Sequence, residues 1–167
     1  MIHLITGGER SGKTSYAQSL ALSLTDKPVY LATAKIWDED FKERVDRHKS
    51  ERDENWTNIE EQLEISKVIP ENRVVVFDCV TLWLNNYFMK FDNDKIKSLE
   101  AAKYEFDKLL TYDGQILIIS NEIGMGLHGE SKMARGFVEL QGWTNQHIAK
   151  AADNVTFMVS GLPMKVK

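Results

Sequence analysis

Gly7-Gly8-Glu9-Arg10-Ser11-Gly12-Lys13-Thr14 is the stretch whose reading decides the fold. It follows the apolar run Ile2-His3-Leu4-Ile5-Thr6 and precedes Ser15-Tyr16-Ala17-Gln18-Ser19-Leu20-Ala21, which reads as a helix. Strand, glycine-rich loop and helix come in that order, with the G-x-x-x-x-G-K-T spacing of a P-loop. The glycines let backbone N–H groups turn inward around a phosphate. The helix that follows points its positive end at the same anion. Lys13 brings a charge to the β- and γ-phosphates, and the Thr14 hydroxyl suits Mg²⁺.

Working outward, short apolar runs recur at Ile2–Thr6, Val29–Ala32, Val74–Asp78, Ile116–Ser120 and Val155–Val159. Each is nearly continuous, as in strands buried on both faces. Helical patterns lie between them, over Lys13–Leu24, Asp38–Arg52, Thr81–Phe91, Asp94–Leu110 and Lys132–Ala152. The alternation predicts an α/β fold: a P-loop NTPase-like, mostly parallel central sheet with helices on both faces. Ligands then bind at the carboxyl edge of the strands. With no repeat, low-complexity tract or linker, the 167 residues read as a single domain over 1–167.

The net charge of −4 carries no electrostatic footprint for nucleic acid. Cys79 is the one cysteine, so no intrachain disulfide forms, which suits a reducing compartment. The N-terminus runs directly into the first strand without a signal-peptide pattern, and no apolar run approaches the roughly 20 residues of a membrane helix. The expectation is a cytoplasmic protein with no transmembrane segment.

Several residues outside the loop are candidates for chemistry. Asp78 ends the run Val74-Val75-Val76-Phe77, where P-loop enzymes place a second Mg²⁺-holding group; a strand-end Asp capping the next helix is the plainer reading. In the charged segment 38–52, Arg44, His48 and Arg52 are four apart and share a helix face. That face repels a metal and suits an anion, or is simply a solvated surface. Thr57-x-x-Glu60 has the form of a capping box, by which Glu60 caps its own helix. The alternative is a carboxylate that accepts from guanine N1–H and N2–H₂. Asn121-Glu122-Ile123-Gly124-Met125-Gly126 marks a loop at the ligand edge, and Arg135 is placed either to reach a phosphate or to sit on a helix surface. Gly161-Leu162-Pro163 reads as a break after the last strand, and Trp37, Trp83 and Trp143 as packing residues.

Taken together, these motifs resemble the bifunctional adenosylcobinamide kinase/adenosylcobinamide-phosphate guanylyltransferase family of cobalamin biosynthesis. The resemblance covers nearly the whole chain. It rests on Thr6–Thr14, Ala32-Thr33-Ala34, Arg44-Val45-x-x-His48-Lys49-x-x-Arg52, Trp56-x-x-x-Glu60, Asp78-Cys79-x-Thr81-x-Trp83-x-x-Asn86, Ser120–Gly126, Asn145-Gln146, Ala152-Asp153-x-Val155 and Ser160–Pro163. It implies phosphorylation of the aminopropanol hydroxyl of adenosylcobinamide by ATP or GTP. Transfer of GMP from GTP to that phosphate then gives adenosyl-GDP-cobinamide and pyrophosphate. It assigns the covalent GMP-histidine to His48. Nucleotide contacts fall on Gly7, Gly8, Glu9, Arg10, Ser11, Gly12, Lys13 and Thr14, on Ala32, Thr33 and Ala34, and on Lys49, Ser50, Glu51, Arg52, Glu60 and Asp78. Mg²⁺ falls on Thr14 and Asp78, and a homo-oligomer, a trimer, is implied. The chain departs from the family pattern at Glu9 (usually Ala), Thr14 (Ser), Asn58 (Thr) and Trp143 (Arg).

Without the resemblance, two other readings stand. One is a P-loop kinase of a different small metabolite, with His48 incidental. The other is a nucleotide-dependent switch, against which the absence of an Asn-Lys-x-Asp guanine motif counts.

Overall fold

The structure is a computed structural model, and it describes residues 1–35, 39, 52, 54–126 and 128–167. Its strands are β1 (Ile2–Gly7), β2 (Val29–Ala32), β3 (Thr57–Glu60), β4 (Val74–Asp78), β5 (Gln115–Asn121), β6 (Asn154–Val159) and β7 (Leu162–Lys165). The α-helices that lie wholly within the described residues are α1 (Lys13–Leu24), α2 (Val80–Lys90), α3 (Lys95–Asp107) and α4 (Lys132–Ala151). The strands form one sheet in the order β3-β2-β4-β5-β1-β6-β7. Every pairing is parallel except β6 with β7.

Because side chains alternate along a strand, each strand feeds both faces of the sheet. Val29 and Leu31, Val75 and Phe77, and Ile116 and Ile118 join one buried cluster with Trp83, Leu84, Phe106 and Leu140 from α2, α3 and α4. Tyr30, Val76, Leu117 and Ile119 join a second with Ala17 and Ala21 of α1 and with Trp56. Side-chain caps start two of the helices: Asp94 accepts from the amides of Ile96 and Lys97, and Ser131 from that of Ala134.

Two readings of the sequence are corrected. Thr57-x-x-Glu60 is no capping box, since these residues are β3, paired in parallel with Val29–Ala32. The local pattern fits a helix start equally well, and the long-range ladder decides. Gly161-Leu162-Pro163 does not end the structure: Ser160 and Gly161, both at positive φ, form a two-residue turn into β7. Pro163 is tolerated because β7 is an edge strand. The helix expected over Asp38–Arg52 falls, apart from residues 39 and 52, outside the described residues.

Candidate active site

The register brings Gly7, Ala32, Glu60, Asp78 and Asn121 to the carboxyl edge of the sheet. Gly7 is required there by close approach: a Cβ on it would come within 2.6 Å of the Met158 carbonyl oxygen and 2.8 Å of Ser11 Oγ. Gly12 is the N-cap of α1 at φ 93, and no side chain among the described residues caps that helix. A helix N-terminus whose N-cap residue brings no side chain of its own suits an anion. Lys13 is buried, and its Nζ donates to the Gly8 carbonyl at 2.5 Å, so the ammonium curls back over the loop. Glu9 and Arg10 are exposed at the loop tip, so the carboxylate that departs from the family pattern lies on the solvent side.

The turn of the β6–β7 hairpin buttresses this loop. The Gly161 amide donates to the Ser11 carbonyl at 3.0 Å, and a Cβ on Gly12 would sit 3.2 Å from Gly161 Cα. Sequence reasoning missed this role, although Ser160-Gly161 between Val159 and Leu162 is a hairpin signal. On the other flank, the Glu122 amide donates to the Gly7 carbonyl at 2.9 Å. Asn145 holds that flank, accepting from Ser120 Oγ at 2.6 Å and donating to the Asn121 carbonyl at 3.1 Å.

Asp78 faces Thr14 across the loop, and the Thr14 hydroxyl donates to Asp78 Oδ2 at 3.4 Å. A hydroxyl and a carboxylate so placed fit part of an Mg²⁺ shell, with phosphate oxygens and water completing the set. The same Oδ2 accepts a short hydrogen bond from the Tyr30 hydroxyl. Burial first, and then the Asp78 charge, push that phenol well above its ordinary range, so it stays a donor. Thr33 is fully buried: its Oγ1 donates to the Cys79 carbonyl at 2.9 Å and accepts the Cys79 amide at 3.1 Å. That hydroxyl clasps the β4 end. Cys79, its thiol pushed up to about 12 chiefly by burial, is no nucleophile.

Arg52 lies over Tyr30, with Cζ 3.7 Å from the ring centroid, and its Nε donates to Asn58 Oδ1 at 2.8 Å. Glu60 is exposed at the end of β3, beside Ala32. Arg135 Nη1 donates to the carbonyls of Gly129 and Glu130, which ties it to its own loop. Trp83 is a fully buried packing residue, as expected, whereas Trp143 is 36% exposed; Trp37 lies outside the described residues. His48, Lys49, Ser50 and Glu51 also lie outside them.

Fold and loop together define a P-loop nucleotide-binding protein. The fold is shared with the flagellar accessory protein FlaH from Methanocaldococcus jannaschii, which superposes with a TM-score of 0.50 at 16% identity, over 99% of this chain and 77% of that one. Residues 3–166 match the family described as cobinamide kinase / cobinamide phosphate guanyltransferase, and the chain belongs to that family. The bifunctional adenosylcobalamin biosynthesis protein CobP of Pseudomonas aeruginosa is 34% identical over 171 aligned residues, covering 100% of this chain and 98% of that protein. CobU of Escherichia coli, which carries the same description, is 32% identical with 100% of both chains covered.

Proposed function

We propose that this chain acts in cobalamin biosynthesis by phosphorylating adenosylcobinamide with ATP or GTP, and then moving GMP from GTP to the phosphate through a covalent GMP-His48. The observation that carries this reading is the convergence of Lys13, Thr14 and Asp78 at one sheet edge, with Arg52 on Tyr30 beside them. The loop amides and Lys13 would hold the β- and γ-phosphates. Thr14 and Asp78 would hold Mg²⁺, which supplies charge to the leaving phosphate oxygens. His48 would attack the α-phosphorus, forming a P–N bond as the bond to pyrophosphate breaks. The cobinamide phosphate oxygen then takes the GMP and frees the imidazole. Ala32, Ala34, Lys49, Ser50, Glu51, Arg52 and Glu60 complete the nucleotide contacts of this reading. Thr33 enters it as the buried clasp behind them.

In the same reading the chain works as one domain over 1–167, in the cytoplasm and as a homotrimer. Among the described residues, no helix is long and apolar enough to cross a membrane. Exposed Val159, Leu162 and Met164 on the edge hairpin supply an apolar face for self-association.

The experiment is incubation with GTP labelled at the α-phosphate, then denaturation. Wild type retains label that is stable in base and lost in acid, as a phosphoramidate is. His48→Ala retains none and loses guanylyl transfer while phosphorylation of cobinamide persists. Labelling of His48→Ala at the wild-type level overturns the assignment.

A further inference from the structure

We infer that Tyr30 is a two-sided positioning residue, its hydroxyl fixing the Asp78 carboxylate and its ring face fixing the Arg52 guanidinium for a nucleotide phosphate. The inference rests on the nucleotide reading of the site and extends it to a residue to which that reading gives no part.

The register sets up the first side. Tyr30 lies opposite Val76, and Ala32 opposite Asp78, so Tyr30 and Asp78 stand two positions apart on the same face of neighbouring strands. From there the phenol reaches Asp78 Oδ2, the oxygen that also faces the Thr14 hydroxyl. With the Tyr30 and Thr14 hydroxyls both on Oδ2, Oδ1 and its lone pairs stay directed for a cation.

The ring supplies the second side. Trp56 meets its edge at 6.0 Å between centroids and 75° between planes. Its face carries Arg52 at 3.7 Å, the geometry of a stacked guanidinium. Asn58, on β3 opposite Tyr30, takes Arg52 Nε. The plane of the guanidinium is thus fixed by a ring and an amide, while its Nη1 is buried without a hydrogen-bond partner among the described residues. A buried donor of this kind is costly unless an acceptor reaches it. A phosphate oxygen is the acceptor that suits a guanidinium best.

Tyr30→Phe separates the two sides, since it keeps the ring and removes the hydroxyl. GTP binding is measured at equilibrium by calorimetry, in EDTA and in Mg²⁺, with the melting temperature of each variant as control. In Tyr30→Phe the EDTA Kd stays within about twofold of wild type, while the tightening brought by Mg²⁺ shrinks about tenfold. In Tyr30→Leu the EDTA Kd also rises about tenfold, because Arg52 loses its platform. Arg52→Ala raises it equally, and the double variant adds nothing further. If Tyr30→Leu does not fold, Arg52→Lys replaces it: the charge stays, the planar stack goes, and the Kd rises as in Arg52→Ala. A full Mg²⁺ effect in Tyr30→Phe overturns the Asp78 side, and multiplying effects in the double variant, or a wild-type Kd in Arg52→Lys, overturn the Arg52 side. Wild type that shows this binding pattern but forms no guanylylated product overturns the functional reading and leaves the inference standing. Wild type that performs both reactions beside an unaltered Tyr30→Phe does the reverse, and wild type that does not bind GTP overturns both.

Discussion

The two faces of the sheet are fed by the same strands and do different work. On the face covered by α2, α3 and α4, the buried side chains of β2 and β4 are Val29, Leu31, Val75 and Phe77, packed on Trp83, Leu84 and Phe106. On the face that carries α1, the same two strands present Tyr30, Ala32, Val74, Val76 and Asp78, so a phenol and a carboxylate joined by a hydrogen bond stand among the apolar side chains. β3 repeats the division: Ile59 packs on the first cluster, while Asn58 and Glu60 have the parity of Tyr30. Alternation lets one strand stabilise the fold with every second residue and supply chemistry with the others. Mutations on the two faces should therefore separate cleanly into stability effects and nucleotide effects.

The largest expected effect is on the packed face. Trp83 is fully buried, meets Phe77 and Tyr87 edge-on, and donates its indole N–H to the Leu63 carbonyl at 3.0 Å. Trp83→Ala should cost about 3–5 kcal/mol of stability through the cavity it leaves. The denaturant midpoint reads this loss. GTP affinity of the remaining folded fraction should stay within about twofold. A loss of affinity that tracks the loss of stability would mean that the faces do not act separately.

Lys13→Ala is the counterpart on the α1 side. Removing a charge that acts mainly as phosphate is transferred should raise the barrier by about 3–4 kcal/mol, slowing phosphorylation of cobinamide by a factor on the order of 10²–10³. Single-turnover kinetics measure it, and near-normal turnover would remove the loop lysine from the mechanism. The melting temperature should move far less than in Trp83→Ala.

The same division explains what the sequence disclosed. Packed strands announce themselves as apolar runs, and the observed β2 and β4 are Val29–Ala32 and Val74–Asp78, two of the five runs read along the sequence. The loop was legible because its spacing is local. β3 was not: three of its four residues are exposed, and Thr57-x-x-Glu60 satisfies a helix-start pattern until the ladder to β2 is known. β7 was hidden by Gly161 and Pro163, which signal a break unless the strand lies at an edge. The cluster of Tyr30, Arg52, Asn58 and Asp78 draws on separate segments of the chain, so no spacing rule reaches it. Asp78 and Arg52 were singled out one by one; Tyr30, which joins them, carried no signal beyond being an aromatic in a strand.

The smallest effect comes from the residue whose reading the fold changed most. The sequence offers two alternative readings of Glu60: the capping box makes a substitution there weaken a helix start, and the guanine reading makes it weaken the preference for GTP. Placing Glu60 on β3 removes the first. The neighbouring Glu61 closes the turn after the strand, its Oε1 accepting from the amides of Leu63 and Glu64 at 2.8 and 2.9 Å. Glu60 is exposed, so Glu60→Gln should leave stability within about 0.5 kcal/mol. Guanine recognition survives as a consequence because a carboxylate offers two acceptors to N1–H and N2–H₂, while an amide turns one of them into a donor. The hydrogen bond lost is charge-assisted but open to water, so its worth is about 1–1.4 kcal/mol, or a factor on the order of 10. In guanylyl transfer, kcat/KM for GTP should fall by that factor, while ITP, which lacks the exocyclic amine, should lose less. The GTP-to-ITP ratio therefore contracts. A variant that keeps its GTP preference at an unchanged melting temperature would free Glu60 from both roles and leave the guanine to be read by another part of the site.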